Sequence, residues 1–150
     1  MTPQVTTNKH IVGPWVAKKI FGSFNPESSE AIGLIDDQGI RAGVIYEGFN
    51  GVSMMVHSAV QGRLTPYYLW AICHYPFVHA GVDKLIAPIG EGNTESVRFV
   101  EKFGFRLEAQ ILDAHPDGRL LLYTLKREDC RFLKSLGERY GQGRIGTGSA

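Results

Sequence analysis

The sequence predicts a single α+β domain, built on a mixed and mostly antiparallel central sheet of about six strands with flanking helices. Two observations predict this fold class. The chain has 150 residues, a length typical of one domain with one buried core. Its apolar residues follow the period of a strand in some segments and the spacing of a helix in others. Strands and helices are therefore expected to alternate along one compact domain.

The first half of the chain predicts one helix and three strands. A helix is expected from about Pro14 to about Phe21, because proline is tolerated in the first turn. Tight-turn residues, among them the hairpin dipeptide Asn50-Gly51, separate the apolar runs that follow. These runs predict three antiparallel strands at residues 31–36, 40–49 and 52–59.

The second half predicts a crossover from one strand to a parallel neighbour. A helix capped by Thr65-Pro66 should run toward Gly81, with Pro76 kinking it or ending it early. Strand 83–89 follows, and the connection should place it parallel and adjacent to strand 52–59. The remaining predicted elements are a helix at 95–103, strands at 105–114 and 120–126, and a short charged helix at 127–136.

The last fourteen residues, 137–150, are predicted to form a flexible tail outside the domain at 1–136. They contain five glycines and almost no large apolar side chain.

The composition excludes several classes of protein. Hydrophobic residues make up 43% of the chain, which is too many for a disordered protein. The net charge of +1 argues against a protein that coats nucleic acid. No apolar run approaches the roughly 18 residues that span a membrane, and the polar first nine residues are unlike a signal peptide. Cys73 and Cys130 are expected to be reduced thiols, and the protein to be cytoplasmic.

The segment NTESVRFVEKFGF at residues 93–105, followed by RLE, resembles a signature of the GNAT superfamily of acyltransferases. The predicted order of elements is similar to that fold over about residues 15–133. Residues 116–133 are similar to the closing strand and helix of compact RimJ/RimL-like members and of versions encoded by bacteriophages. The resemblance implies a GNAT-like domain with acetyl-CoA as cosubstrate. It would transfer an acetyl group to a primary amine of a small molecule or protein, in the host cytoplasm if phage-encoded.

The resemblance also implies where acetyl-CoA binds, in a V-shaped gap between strands 52–59 and 83–89. Its pyrophosphate would lie at the start of the helix between them, where backbone N–H groups and the helix dipole suit an anion. The residues implied to bind it are Val56, Ser58, Gly62, Arg63, Leu64, Thr65, Asn93, Ser96 and Lys102.

Three of these assignments have plain structural alternatives. Loop 60–65 departs from the family pattern and keeps only Gly62, so Arg63 either pairs with a phosphate or is simply solvated. Asn93 would also cap the next helix. Lys102 shares a helix face with Arg98. This face either contacts a phosphate or is a solvated basic surface. Gly90 and Gly92 are two further glycines that could lie against the cosubstrate.

Acetyl transfer needs a base that takes a proton from the amine. Histidine ordinarily titrates near neutral pH, so His57 is the first candidate, and Glu47 would serve in a sufficiently apolar site. The alternative for His57 is a partly buried strand histidine with a hydrogen bond. A backbone amide near residues 56–58 would stabilise the thioester oxygen. Most family members have a tyrosine as acid at the position of Val100, so here another group or water must protonate the sulfur.

Two further possibilities remain open. The first is a catalytically weak or inactive protein of the same fold that binds a host protein partner. The second is a homodimer, because terminal strands of such folds often pair between copies. No metal is predicted, since turn chemistry accounts for the aspartates at 36, 37 and 117.

Overall fold

The computed structural model describes residues 2–142, and the strands of this part of the chain form one seven-stranded sheet. The strands are β1 Gln4–Thr6, β2 Glu30–Asp36, β3 Gly39–Glu47, β4 Ser53–Val60, β5 Lys84–Gly90, β6 Arg106–His115 and β7 Gly118–Lys126. Their order is β1-β2-β3-β4-β5-β7-β6. Neighbours are antiparallel except β4 and β5, which are parallel. The predicted fold class and its parallel pair are confirmed. The strand missed was β1, which is too short to show a period.

The helices cover the two faces of the sheet unequally. They are α1 Lys9–Lys19, α2 Pro66–His74, α3 Thr94–Phe103 and α4 Arg131–Leu136, with π-helical turns at Tyr75–His79 and Gly137–Gln142 and a 3-10 turn at Arg127–Asp129. Helix α1 packs on one face through a small cluster that includes Val12, Val16 and Ile45. Residues of α2, α3 and α4 join the main core on the other face. Within residues 2–142, no helix is both long and apolar enough to cross a membrane.

Helix α1 begins five residues earlier than its sequence predicts. It starts at Lys9, where the Asn8 side chain accepts a hydrogen bond from the His10 N–H at 3.2 Å. Pro14 therefore lies inside the helix and removes one hydrogen bond from it. The buried side chains Val12 and Val16, which flank the proline, pack on the sheet and hold the helix together across this gap.

Helix α1 approaches the sheet closely because a pair of glycines lies beneath it. Gly33 of β2 and Gly43 of β3 are register partners. A Cβ atom on Gly33 would lie 2.7 Å from a methyl group of Val12, and one on Gly43 would lie 2.6 Å from a methyl group of Val16. Part of the glycine content of this chain thus serves helix packing.

We expect Gly43→Ala to lower the free energy of unfolding by about 1–3 kcal/mol, because the added methyl group pushes α1 off the sheet. Urea denaturation followed by circular dichroism measures this. Gly137→Ala is the matched control, since a Cβ there meets nothing within 4 Å. Equal stability of the two variants would contradict the packing role of Gly43.

The first residues of the predicted tail have regular structure and contact helix α2. Residues 137–142 form a π-helical turn, and the ring of Tyr140 lies 5.2 Å from that of Tyr67 and 5.8 Å from that of Trp70 on α2. The sequence prediction missed this contact because one aromatic residue stands among glycines. The domain boundary at residue 136 stays a prediction. Residues 143–150 of the predicted tail lie outside the described residues.

Candidate active site

The site lies where the two parallel strands separate. Strands β4 and β5 are paired only from Ser53 with Lys84 to Met55 with Ile86, a total of three residue pairs. Beyond these pairs β4 continues to Val60 and β5 to Gly90 without pairing. A gap therefore opens in the middle of the sheet, at the carboxyl ends of two parallel strands.

Pro88 accounts for the point at which pairing stops. Lys84 donates its N–H to the carbonyl of Val52, whereas the carbonyl of Asp83 accepts from Arg127 beyond β7. Even-numbered residues of β5 thus direct their backbone groups toward β4, and odd-numbered residues direct theirs toward β7. Pro88 occupies the next β4-facing position after Ile86, and it has no N–H to donate. The signal for this in the sequence is a proline inside a strand.

The backbone of β4 faces the gap at the two positions that the resemblance implies. Gln61 donates its N–H to the carbonyl of Arg41 at 2.7 Å, so odd-numbered residues of β4 bond to β3. Val56 and Ser58 therefore direct their backbone groups toward β5, where the ladder ends. The amide of Val56 still belongs to the last ladder pair, Met55 with Ile86, so the carbonyl of Val56 and both backbone groups of Ser58 are placed to bond a ligand in the gap.

Two adjoining cavities follow the gap. The first, of about 380 Å³, contains Val56, His57 and Ser58 of β4, the end of β5, and His115. The second, of about 480 Å³, extends along α3 to Lys102. The residues that line both cavities are Ile20, Ser58, Asn93 and Ser96. Together they form one groove long enough to receive an extended ligand.

His57 and Glu47 meet in the first cavity. Ile45 is the register partner of His57, and Met55 is that of Glu47, so the two side chains lie diagonally on one face of the hairpin. Nε2 of His57 lies 2.5 Å from Oε2 of Glu47. The contact does not have the geometry of a hydrogen bond, and among the described residues the buried Nε2 has no hydrogen-bond partner. The two candidate bases of the sequence thus form one pair.

The start of α2 is a poor anion site. Pro66 has no N–H, and the N–H of Tyr68 donates to the Thr65 side chain at 3.2 Å. Gly62 leaves room for the side chain of Arg41, since a Cβ there would lie 3.0 Å from Cδ of that residue. Residues 62–65 line neither cavity of the groove. Residues 62–65 therefore lie outside the lining of the groove, whereas Val60, at the start of the same loop, lines the second cavity.

Helix α3 brings its implied residues to the groove. Asn93 caps the helix, its side chain accepting the N–H of Ser96 at 3.1 Å, and both residues line the two cavities. The cap and the groove position coexist. The second cavity is also lined by three cations, Lys19, Arg98 and Lys102, against the single carboxylate of Glu95. This end of the groove is positively charged.

The groove has no tyrosine at the position expected for an acid. Val100 lines the first cavity with an apolar side chain. Tyr46 lies near this point, but its hydroxyl already donates to the carbonyl of Ile72 at 2.6 Å. Burial raises the pKa of Tyr46, and it raises that of Tyr68 as well. Neither phenol is suited to protonate a leaving group in the groove.

Gly90 and Gly92 contact the turn between β6 and β7. A Cβ on Gly90 would lie 2.8 Å from Nε2 of His115 and closer still to the ring carbon Cε1. A Cβ on Gly92 would lie 3.1 Å from the carboxylate of Asp117. Close approach to protein atoms therefore explains both glycines. Contact with the cosubstrate, which the sequence left open, is not needed to explain them.

Phe21 stands at the mouth of the first cavity in a strained conformation. It follows α1 with φ at 56°, and the Gly22 N–H donates to the carbonyl of Ala17 at 2.8 Å, which closes the helix. Glycine is the usual residue at this left-handed position. The ring is nevertheless 97% exposed. An exposed, strained aromatic residue beside a cavity is placed to contact a ligand.

The turn aspartates have local partners. Asp36 accepts from the Gln38 N–H at 2.8 Å and pairs with Arg41 at 2.6 Å, and these two contacts, the arginine first, lower its pKa. Across residues 2–142, no three side chains of the His, Cys, Asp and Glu types are placed to hold a metal ion.

Solved structures show which fold this is. A chimera of the spermidine N-acetyltransferase SpeG from Vibrio cholerae with hSSAT has a TM-score of 0.66 and 10% identity, covering 89% of this chain and 99% of that one. A mutant form of the spermidine/spermine N-acetyltransferase SpeG from the same organism is similar at 11% identity, with the same TM-score and coverage. A GNAT family acetyltransferase from Elizabethkingia anophelis with acetyl-CoA bound has a TM-score of 0.59 and 12% identity, covering 83% and 97%.

The domain has the fold of the GNAT acetyltransferases, as the resemblance of residues 93–105 implied. No protein-family model matches the sequence, and no curated protein matches it. At identities of 10–12% the likeness defines the architecture, and the activity must be argued from the site.

Proposed function

We propose that the protein is an acetyl-CoA-dependent N-acetyltransferase. The observation that carries this proposal is the gap between β4 and β5, which ends the ladder after Met55 and Ile86 and leads into a groove with a positively charged end. Acetyl-CoA combines a thin amide-containing arm with phosphate groups. The unpaired backbone of β4 suits the arm, and the cations Lys19, Arg98 and Lys102 suit the phosphates.

The reaction would be a direct attack of a primary amine on the thioester in a ternary complex. Its base is His57, because Glu47 can stabilise the ring once it is protonated. With Nε2 against the carboxylate, Nδ1 is the nitrogen left to take the amine proton. The backbone N–H of Ser58 faces the gap and would stabilise the charge that develops on the thioester oxygen. No cysteine lines this cavity, which supports direct attack over a cysteine acyl-enzyme.

Calorimetric titration of the full chain tests cosubstrate binding. We expect acetyl-CoA to bind with a Kd of about 1–100 μM, in the range common for enzyme substrates. Adenosine 3′,5′-bisphosphate is the matched control, because it has phosphates and no arm for the gap, and it should bind at least tenfold more weakly. No heat with acetyl-CoA at millimolar concentration would refute the proposal.

A binding module on the same fold is the second candidate. Two observations favour it. At the start of α2, Pro66 has no N–H and the N–H of Tyr68 is already bonded, so neither residue offers an N–H to an anion. Val100 stands where most family members have a tyrosine as acid. Such a module would bind a protein partner and leave acetyl-CoA untouched. The same titration separates the two candidates, since a module of this kind gives no acetyl-CoA heat.

A further inference from the structure

The first cavity contains a second histidine on the side opposite β4. His115 ends β6 and lines the cavity together with His57 and Val100. Its side chain is about one-third exposed, at 34%. The two rings differ in their surroundings, because His57 meets a carboxylate and His115 meets a backbone N–H.

The hydrogen bond to His115 determines which of its nitrogens carries the proton. The N–H of Asp117 donates to Nδ1 at 3.1 Å. An N–H can only donate, so Nδ1 must accept, and the neutral ring carries its proton on Nε2. The carboxylate of Asp117 lies 3.7 Å from Nδ1, outside hydrogen-bond distance. His115 is therefore a donor, whereas a base would need a nitrogen free to accept a proton.

The ring of His115 is held in place by its packing on Gly90 and by contacts that fix its hairpin. Gly90 provides the space beneath it, since a Cβ there would collide with the ring. The hairpin that carries the ring is tied to the loop after β5 by two contacts. Glu91 donates its N–H to the carbonyl of Arg119 at 3.0 Å, and its carboxylate pairs with the Arg119 side chain at 2.9 Å. Such fixed donors stabilise developing charge without reorganisation.

We propose that His115 is a catalytic hydrogen-bond donor to the sulfur that leaves the thioester, an assignment that rests on the proposed function. The amine nitrogen forms a bond to the carbonyl carbon, and the amine proton goes to His57. The carbon–sulfur bond breaks, and its electron pair stays on sulfur. Nε2–H of His115 stabilises this thiolate, the sulfur then takes a proton from water, and the proton held by His57 passes to the hydroxide that is left. His115 keeps its own proton throughout. The sulfur therefore has a hydrogen-bond donor even though the side chain of Val100 is apolar and cannot supply one.

Two acetyl donors test the assignment in steady-state kinetics. With acetyl-CoA, His115→Phe should lower kcat about 10²-fold, the loss typical of one stabilising donor, while the Kd for acetyl-CoA stays within twofold. With the acetyl thioester of 4-nitrothiophenol, whose thiolate leaves without help, the loss should be under threefold. An equal loss with both donors would overturn the sulfur assignment, and so would full activity with acetyl-CoA.

Further variants separate the donor from the shape of the ring. His115→Asn keeps an N–H and should recover part of the lost rate, whereas His10→Ala, on the exposed face of α1, should change nothing. Nitrogen-15 NMR of the imidazole tests the donor in the wild-type chain without substrate. A proton on Nδ1 at pH 7 would overturn the proposal even if the variants failed to fold. Absence of acetyl-CoA binding by the wild type would instead refute the proposed function.

Discussion

Replacing His57 by alanine should lower kcat for amine acetylation by about 10²–10⁴-fold, the range that one general base supplies. The reason is the position of the ring, which lies against the Glu47 carboxylate in the cavity at the strand gap. Acetyl-CoA consumption with a panel of primary amines measures the effect. The Kd for acetyl-CoA should change little, because the base contacts the amine and not the cosubstrate.

If the Glu47 carboxylate positions His57, variants of the two residues should lose rate to different degrees. Glu47→Gln keeps the shape of the side chain and removes its charge, so it should lose less rate than His57→Ala. His79→Ala removes a histidine that is stacked on Tyr75, away from the groove, and serves as the control. An unchanged rate in His57→Ala would remove this residue from the mechanism and leave it as a strand histidine.

The double variant Arg98→Ala, Lys102→Ala should weaken acetyl-CoA binding about tenfold to hundredfold at low salt. Both side chains line the second cavity, and each would lose a charged contact to a phosphate. Because both are exposed, the difference from wild type should shrink at about 0.5 M salt, where the Debye length falls to a few ångströms. Calorimetry at two salt concentrations measures both effects.

Arg63→Ala is the matched control for this prediction. It removes one exposed positive charge from the loop before α2, where Pro66 and Thr65 leave little capacity for an anion. We expect less than a threefold change in Kd. A larger loss in Arg63→Ala than in the double variant would place the phosphates at the loop that the resemblance implies.

Most of the fold could be predicted from local patterns. The alternating apolar runs and the Asn50-Gly51 turn define β2, β3 and β4, and the crossover rule places β5 beside β4. The contact of His57 with Glu47 could not be predicted, because a two-residue Asn50-Gly51 turn would pair Phe49 with Val52, and the observed register differs from that by one residue. The start of α1 could not be predicted, because the packing of Val12 and Val16 on a glycine pair overrides a proline inside the helix.

The rest of the site depends on contacts between segments far apart in sequence. His115 becomes part of the cavity only because its ring lies on Gly90, and nothing in either segment alone indicates that contact. The low capacity of the start of α2 for an anion has a partial signal in the sequence, since Pro66 has no N–H. The rest of the cause is structural, because the Thr65 side chain accepts the N–H of Tyr68.

The short pairing of β4 with β5 has a mechanical consequence. Only three residue pairs join the four strands before the gap to the three after it, so beyond those pairs the two halves of the sheet are held together by the shared core and not by ladder hydrogen bonds. A ligand lying in the gap would bond to both halves, so amide hydrogens of β4 and β5 should exchange more slowly when the groove is filled.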